Sequence, residues 1–166
     1  MHIYQAQASD IAKIKSIADQ VWVNHYATII SQEQIDYMYP LMYSEASLAK
    51  QMQDGHQFFI ATLENQEVGF ISIKKEKDCI KIPKIYVSKA AHGKGIGRML
   101  IEHIAKLASQ EGFNALELNV NRYNTNAIAF YKKVGFIIKE EVDIPLDKFV
   151  LEDYVMIYQL ADYFIP

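Results

Sequence analysis

Three glycines stand at alternate positions in the stretch HGKGIGRML, which runs from His92 to Leu100. The stretch follows a strand pattern and opens a helix pattern, and a helix N-terminus offers unpaired N–H groups and partial positive charge to an anion. Glycines let the backbone approach such an anion closely, because no Cβ intervenes. Lys94 and Arg98 add positive charge at the same end. The stretch therefore predicts a phosphate-binding loop, with a turn that carries two solvated cations as the alternative.

The glycine spacing excludes two common nucleotide-binding motifs. A dinucleotide-binding fold needs G-x-G-x-x-G, whereas the third glycine here is Gly97 and position 98 is Arg. A P-loop needs Gly-Lys followed by Ser or Thr, whereas Gly93-Lys94 is followed by Gly95. The sequence still allows a phosphate-binding site of a class other than these two.

The elements before the loop begin with a strand and three helices. HIYQAQ predicts the strand, and Ser9 or Asp10 then caps an amphipathic helix. Ser31 and Gln34 form a capping-box pattern, which predicts a second short helix in a stretch that ends at Pro40. SEASLAKQMQDG predicts a third helix.

Strand patterns then dominate, with two further helices among them. QFFIATLE and QEVGFISIKKE flank a polar turn at Asn65, which is a hairpin signal. CIKIPKIYV is another strand, in which Pro83 lacks an N–H and marks an edge, a bulge or a break in pairing. After the glycines come a long helix, the strand ALELNV, the short helix NTNAIAFYKKVG and two closing strands. This order predicts a mixed sheet with helices on its faces, in an α/β or α+β domain.

The composition excludes several classes of protein. The 166 residues suit one domain, and the net charge of −3 argues against a nucleic-acid binder, which usually carries a basic surplus. Cys79 allows no internal disulfide and fits a reducing cytosol. The first residues lack a signal-peptide pattern and no run of eighteen apolar residues exists, so we expect a soluble cytoplasmic protein without membrane contact. The five histidines show no ligand spacing, so no metal site is expected.

Two motifs together resemble those of the GNAT superfamily of acetyl-CoA-dependent N-acetyltransferases. In that superfamily a hydrophobic strand, here Ile85-Tyr86-Val87, is followed by R/Q-x-x-G-x-G/A at the start of a helix. The stretch His92-Gly93-Lys94-Gly95-Ile96-Gly97 matches this motif, except that His92 stands where Arg or Gln is usual. The second motif, N-x-x-A-I-x-x-Y-x-x-x-G-F, is matched at Asn124, Ala127, Ile128, Tyr131, Gly135 and Phe136. The element order also agrees, so the resemblance implies one GNAT-like domain over residues 1–166, with a mostly antiparallel sheet and helices on both faces.

The front half of the chain resembles the PaiA-type diamine (polyamine) acetyltransferases within that superfamily, most of all in the stretch VWVNHYATIISQEQIDYMYPLMYS. The resemblance implies a small-molecule amine as acceptor, with an aminoglycoside-like amine or a protein N-terminus as alternatives. The competing class is a non-catalytic acyl-CoA-binding module. The aromatic end, ADYFIP, would pack on its own domain or on a second subunit, which leaves a homodimer open.

The resemblance implies that acetyl-CoA binds at the glycine loop as co-substrate. Its pyrophosphate would lie on Gly93–Gly97 and the start of the following helix. A neutral imidazole at His92 contributes less than a guanidinium, so Lys94, Arg98 and the backbone N–H groups would carry most of this contact. The pantetheine arm would pair with the backbone of Ile85, Tyr86 and Val87.

Asn124 and Tyr131 are the residues of the second motif to which the resemblance gives roles. Asn124 would hydrogen-bond the pantetheine arm, cap its own helix, or do both. Acyl transfer to an amine expels a thiolate, and a phenol with a pKa of about 10 can protonate a thiolate of pKa about 8.5. Tyr131 is therefore the expected acid, with core packing as the alternative.

The base must take a proton from an alkyl amine, whose pKa is about 10.4. Many relatives use a carboxylate on the strand before the glycine loop, where this chain has Lys81 and Lys84. On the next strand Glu117 and Asn119 share one face, and Asn119 stands where some relatives have glutamate. We therefore expect water ordered by backbone carbonyls, Glu117 or Asn119, so that Glu117→Gln lowers the rate mainly at low pH.

The acceptor pocket is expected to involve the first helices. Trp22, Tyr26 and Tyr37 would wall it and contact a cationic amine by cation–π attraction, with plain helix packing as the alternative for each. Glu33 and Asp36 are candidate partners for a substrate ammonium, with a solvated helix face as the alternative.

Overall fold

The computed structural model describes residues 1–160, with the side chain of Val23 excepted. These residues form two compact units. The first comprises Met1–Lys74 and Lys84–His103, and the second comprises Lys75–Pro83 and the described chain from Ile104 onward. The expectation of one domain over residues 1–166 stays a prediction, and the end ADYFIP lies outside the described residues.

The first unit holds the front of the chain and the glycine stretch. Its strands are β1 (His2–Gln5), β2 (Gln57–Leu63) and β3 (Gln66–Lys75), and its helices are α1 (Ile11–Tyr26), α2 (Gln32–Tyr43) and α3 (Glu45–Gln53). Strand β4 (Cys79–Val87) and helix α4 (Ile96–Gln110) each contribute residues to both units, and the last residue of β3, Lys75, belongs to the second unit. No helix in residues 1–160 is long and apolar enough to cross a membrane.

Hydrogen-bonded strands in the first unit have the order β1-β2-β3-β4. Strands β2 and β3 form an antiparallel hairpin in which Leu63 pairs with Gln66. The two turn residues, Glu64 and Asn65, have left-handed φ values of 51° and 63°, the conformation that a two-residue type I′ turn needs. The hairpin predicted at Asn65 is confirmed.

The second helix begins where the sequence predicts and ends later. Ser31 is its N-cap, and Ser31 Oγ accepts the Gln34 N–H at 3.1 Å. Helix α2 then continues through Pro40 to Tyr43, whose ring is fully buried and lies 6.1 Å from that of Trp22. Packing of this last turn sustains the helix past the proline, because burial of an amphipathic face supplies most helical stability in proteins.

The start of α1 also differs from the prediction. A 3₁₀ turn, Ala8–Asp10, precedes α1, and the Asp10 carboxylate accepts the Gln7 N–H at 3.0 Å. Asp10 therefore stabilises the turn that leads into α1, and α1 begins at the next residue.

Helices cover both faces of the strands in the first unit. Phe58 and Phe59 are neighbours on β2, so their side chains point to opposite faces. The Phe59 ring lies 5.3 Å from His103 of α4. On the opposite face Phe58 begins a chain of ring contacts that reaches the first two helices through Phe70, Tyr86, Tyr43 and Trp22. The expectation of helices on both faces is confirmed for this unit.

The second unit adds the strands that carry the predicted catalytic residues. Strand β5 (Ala115–Asn121) is followed by helix α5 (Thr125–Val134) and by strands β6 (Ile137–Leu146) and β7 (Phe149–Gln159). The strand order in this unit is β4-β5-β7-β6. Strands β4 and β5 are parallel, whereas β7 pairs antiparallel with both β5 and β6. The predicted mixed, mostly antiparallel fold is confirmed.

The pairing of β4 with β5 covers Cys79, Ile80 and Lys81. Pro83 follows two residues later, is exposed and has no N–H to donate. Of the three alternatives that Pro83 suggested, this register favours a break in pairing.

Candidate active site

The glycine stretch forms an exposed loop held between two buried side chains. Ala91 and Ile96 are each 2% exposed, whereas residues 92–95 between them are exposed. Gly93 and Gly95 have φ values of 77° and 76°, a conformation that glycine adopts without strain. A Cβ at either position would meet nothing within 4 Å. These glycines are therefore needed for the turn, and they leave the surface of the loop open.

Helix α4 begins directly after this turn. The Met99 N–H donates to the Gly95 carbonyl at 3.0 Å, which closes the first turn of the helix. The N–H groups before Met99 have no carbonyl within the helix to bond, so they are available to an anion. Lys94 is exposed beside these N–H groups. Arg98 is on the first turn of the helix, and its Nη1 lies 3.8 Å from Glu102 Oε1. The loop therefore fits a phosphate group, through backbone donors and nearby cations.

A cleft of about 670 Å³ adjoins the loop within the first unit. Residues of α1, of the β2–β3 turn and of the segment from Ser88 to Lys94 line it. The cleft gives a ligand space beside the loop that is larger than one phosphate group needs.

His92 binds a backbone group of β4. Its Nε2 lies 2.9 Å from the Val87 carbonyl oxygen. The tautomer that carries a proton on Nε2 donates this bond, so the imidazole closes the segment from Val87 to His92. In this arrangement Nε2 bonds the protein backbone and not a ligand.

The end of β4 has one edge bonded to β3. The Ser88 N–H donates to the Val68 carbonyl at 2.8 Å. Backbone groups alternate in direction along a strand, so those of Tyr86 also face β3, whereas those of Ile85 and Val87 face away from it. The Ile85 backbone and the Val87 N–H can therefore bond a ligand that lies along that second edge, whereas the Val87 carbonyl is already bonded to His92.

Gly69 on β3 permits the close approach of β4. A Cβ at Gly69 would lie 2.7 Å from the Tyr86 carbonyl oxygen and 3.4 Å from the Val87 Cα. The first distance is shorter than real Cβ contacts allow, and the neighbouring atom is backbone. Glycine at this position therefore sets the position of the backbone that ends in Val87.

In the second unit, Glu117 is buried between two lysines. It is 7% exposed, and its oxygens lie 2.5 Å from Lys81 Nζ and 3.1 Å from Lys139 Nζ. Burial raises the pKa of Glu117, but the hydrogen bonds from Lys81 and Lys139 outweigh it and leave the pKa below its ordinary value. Glu117 is therefore an anion at neutral pH with each oxygen bonded to an ammonium.

Asn119 lies two residues further along the same face of β5 and is exposed. The register pairs Asn119 with Val155 and Asn121 with Asp153 of β7. Directly paired residues share a face of a sheet, so the Asn119 side chain can reach Asp153 diagonally. Its amide donates to the Asp153 carboxylate.

Asn124 caps the helix that carries Tyr131. Its Oδ1 accepts the Ala127 N–H at 3.3 Å, and its side chain is buried. Tyr131 is half-buried on α5, with its ring 5.4 Å from that of Phe130 and 5.7 Å from that of Phe136. The capping alternative for Asn124 is therefore observed, and its second role and that of Tyr131 stay predictions.

The sequence profile of the acetyltransferase (GNAT) family matches residues 20–136 of this chain. The chain belongs to that family. The match includes the glycine loop, Asn124 and Tyr131, so the family resemblance drawn from the two motifs is confirmed.

The chain is similar to two curated relatives and to one solved structure. Peptidyl-lysine N-acetyltransferase YjaB of Salmonella typhimurium is 37% identical over 84 residues, or 49% of this chain, which spans about half (52%) of that curated relative. Spermidine N(1)-acetyltransferase of Thermoplasma acidophilum is 24% identical over 145 residues, which cover 84% of this chain and 90% of that protein. The crystal structure of PaiA N-acetyltransferase from Thermoplasma acidophilum with coenzyme A has a TM-score of 0.80 at 24% identity and covers 96% and 99% of the two chains. The last comparison shows the shared fold.

The GNAT acceptor residues predicted on the first two helices have unequal exposure. Trp22 is 1% exposed and packs with its ring 4.6 Å from that of Tyr26. The Tyr26 hydroxyl lies 3.3 Å from that of Tyr86 on β4. Tyr37 is 36% exposed. Trp22 and Tyr26 are therefore brought together, with Trp22 in the core and Tyr37 at the surface.

A buried lysine lies beside this aromatic cluster. Lys84 is 6% exposed, and its Nζ donates to Gln51 Oε1 at 2.7 Å and lies 5.5 Å from the centroid of the Tyr43 ring. Burial lowers the pKa of Lys84 to about 8. The alternation of Ile80, Ile82, Lys84 and Tyr86 along β4 was the sequence signal that could have indicated this burial.

The second unit holds another residue that the sequence did not single out. Asp153 is half-buried on β7, and burial raises the pKa of its carboxyl. Only the β5–β7 register shows that it meets Asn119, and no local sequence pattern gives that register. Within residues 1–160, no group of three or more His, Cys, Asp or Glu side chains is placed to hold a metal ion.

Proposed function

We propose that this chain transfers the acetyl group of acetyl-CoA to a primary amine by direct attack, with a small diamine or polyamine as the favoured acceptor. The observation that carries the proposal is the loop from His92 to Gly97. It presents open backbone donors at the start of α4, in a chain of the GNAT family that also has Asn124 and Tyr131 at the matching motif positions.

The geometry of each unit, taken by itself, supports the residues that we assign to acetyl-CoA. The N–H groups at the start of α4, with Lys94 and Arg98, bind the pyrophosphate. The backbone of Ile85 and Val87 bonds the pantetheine arm along the edge of β4 that faces away from β3. Asn124 adds a hydrogen bond to the arm while its Oδ1 caps α5.

Tyr131 is the proposed acid. Acetyl-CoA supplies a thioester whose acyl carbon an amine can attack and whose sulfur leaves as a thiolate. The Tyr131 hydroxyl gives its proton to that sulfur, because a thiolate of pKa about 8.5 leaves more readily as the thiol. Tyr131→Phe should keep the packing of the ring and remove the proton.

The base is proposed to act on the face of β5 that carries Glu117 and Asn119. An acceptor ammonium must lose a proton before it attacks, and water held on this face would carry the proton away. Both oxygens of Glu117 are bonded to lysines, which supports a role in holding Lys81 and Lys139 more than in taking a proton itself.

The names of the two relatives support the proposal that the acceptor is an alkyl amine. One is named for spermidine and the other for a peptidyl lysine, and both names denote aliphatic amines. Trp22, Tyr26 and Tyr37 are proposed to contribute to the acceptor pocket, with Tyr26 the best placed because it is half-buried beside Tyr86. The cytoplasmic location and the homodimer stay predictions.

The test is release of free thiol from acetyl-CoA in the presence of spermidine, putrescine, single amino acids and lysine-containing peptides. We expect turnover with at least one amine, and a loss of about 10²–10⁴-fold in kcat for Tyr131→Phe. Turnover on peptides alone would make the chain a protein acetyltransferase. Tight coenzyme A binding without turnover on any amine would make it an acyl-CoA-binding module.

A further inference from the structure

We infer that Asp153, oriented by the amide of Asn119, is the general base that takes the proton from the acceptor amine. The inference rests on the proposed acetyl transfer. It names the residue that removes a proton from the acceptor ammonium. It starts from the strand register of the second unit.

The register places Asp153 on the face of β7 that continues the Glu117–Asn119 face of β5. Asp153 pairs with Asn121, and Val155 pairs with Asn119. On its other side Asp153 pairs with Val142 of β6. The groups that face Asp153 are therefore two amides from β5 and an apolar side chain from β6, and the next carboxylate on the face is Glu140, paired with Val155.

The two carboxylates of this face have opposite surroundings. Glu117 is bonded by Lys81 and Lys139, which stabilise its anion and weaken it as a proton acceptor. Asp153 receives a hydrogen bond from the neutral amide of Asn119. Burial outweighs both that bond and the charge of Arg122 and raises the pKa of Asp153, which brings it closer to the working range of a base.

The nearby charge of Arg122 lowers the pKa of Asp153, and the Arg122 side chain is itself paired on the opposite face. Arg122 Nη1 lies 2.6 Å from Glu141 Oε1, and Arg122 Nη2 binds Asp143 and lies 3.7 Å from Glu152 Oε1. The Arg122 N–H also donates to the Glu152 carbonyl at 2.9 Å. These bonds fasten the end of β5 to β6 and β7, so they hold the register that brings Asp153 to Asn119.

The proton transfers balance over one turnover. An N–H bond of the ammonium breaks, its proton moves to an oxygen of Asp153, and the freed lone pair forms the bond to the acyl carbon. The carbon–sulfur bond breaks, and the sulfur takes the proton of Tyr131. The second proton on nitrogen returns to the Tyr131 oxygen through water, and Asp153 releases its proton to solvent. One proton is released for each amide formed.

The decisive variant is Asp153→Asn, with Asp147→Asn as its control. Asp147 is exposed in the turn between β6 and β7, so its variant should keep the wild-type pH–rate profile. Asp153→Asn should lower kcat by about 10²–10⁴-fold at pH 7. The loss should shrink towards pH 10, where more of the amine is already neutral. Thermal unfolding of both variants checks that the fold is retained.

Asn119→Ala provides the matching test of the positioning residue. The hydrogen bond from Asn119 lowers the pKa of Asp153, so its loss should move the acid limb of the pH–rate profile to higher pH. A carbon-13 titration of the Asp153 carboxyl in the ligand-free protein should show the same upward shift. Asp147→Asn should leave that limb in place.

Two results would overturn the assignment. If Asp153→Asn raised only the KM for the amine, with kcat and the pH profile unchanged, Asp153 would bind substrate without acting as a base. If wild type turned over an amine and Asp153→Asn did so equally well, the inference would fail and the proposed function would stand. A wild-type protein that binds coenzyme A and acetylates no amine would overturn both.

Discussion

The Nε2 nitrogen of His92 lies 2.9 Å from the carbonyl oxygen of Val87. The contact joins the end of β4 to the first residue of the glycine stretch. His92 stands where Arg or Gln is usual in the GNAT family. Here its imidazole bonds the backbone of the loop segment itself. The proposed phosphate contact therefore rests on the backbone donors of α4 with Lys94 and Arg98.

His92→Ala should weaken coenzyme A binding by about two- to tenfold, because it removes one hydrogen bond that orders the loop. His92→Gln should stay near wild type, since its amide N–H can donate to the same carbonyl. Isothermal titration calorimetry with coenzyme A measures both. Lys50→Ala, on the exposed surface of α3, is the control. Unchanged affinity in His92→Ala would show that the backbone holds this loop without the imidazole.

The general form of the fold was predictable because it depends on local signals. The left-handed turn at Asn65 and the cap at Ser31 each follow from a few neighbouring residues. The extension of α2 past Pro40 was not predictable, because it depends on packing of Tyr43 against Trp22 of helix α1, and no local sequence pattern shows that contact.

The residues of the candidate site also fall into a group that local sequence patterns predict and a group that they do not. The glycine loop, Asn124 and Tyr131 belong to contiguous motifs, so the sequence indicated them. The surroundings of Glu117 and Asp153 depend on pairing between strands about 20 to 40 residues apart, as the bonds from Lys81, Lys139 and Asn119 show. Sequence alternation gives the face of a residue but not its cross-strand partner.

Lys84 should make stability depend on pH between about 8 and 10.5. Burial lowers the pKa of Lys84 from 10.5 to about 8. Between these values the unfolded chain binds more protons than the folded chain, so the free energy of unfolding should rise with pH. At 1.36 kcal/mol per pKa unit the rise is roughly 3 kcal/mol at most. Below pH 8 both states are protonated and this contribution is constant.

Lys84→Met should remove that rise, because methionine does not titrate. Urea unfolding at half-unit pH steps measures the slope for wild type, Lys84→Met and a control, Lys50→Met. Lys50 lies on the surface of α3, paired with Asp54, and its variant should follow the wild-type slope. Parallel curves for wild type and Lys84→Met would contradict the burial of a titrating ammonium.

Gly69→Ala should impair acetyl-CoA binding through the backbone of β4. The added Cβ would lie 2.7 Å from the Tyr86 carbonyl oxygen, so β4 must shift where Ile85 and Val87 are proposed to bond the pantetheine arm. Overpacking of this kind costs about 1–3 kcal/mol of stability. The KM for acetyl-CoA should rise, while the KM for the amine changes little.

Gly55→Ala is the control for a loss of stability alone. Gly55 has a φ of 94°, and a Cβ there would meet nothing within 4 Å. Alanine at this position should therefore destabilise the protein by about 1 kcal/mol through backbone strain, without moving β4. If the two variants changed the KM for acetyl-CoA equally, the effect of Gly69→Ala would be one of stability only.

Asn124 allows its two roles to be measured separately. Its Oδ1 caps α5 by accepting the Ala127 N–H, and its amide N–H is proposed to donate to the pantetheine arm. Asn124→Asp keeps the cap and removes the donor, so it should unfold near the wild-type temperature and lose coenzyme A affinity. Asn124→Ala should lose affinity and also about 1 kcal/mol of stability. Wild-type affinity in Asn124→Asp, measured by calorimetry, would leave Asn124 as a helix cap alone, because its carboxylate cannot replace the donor.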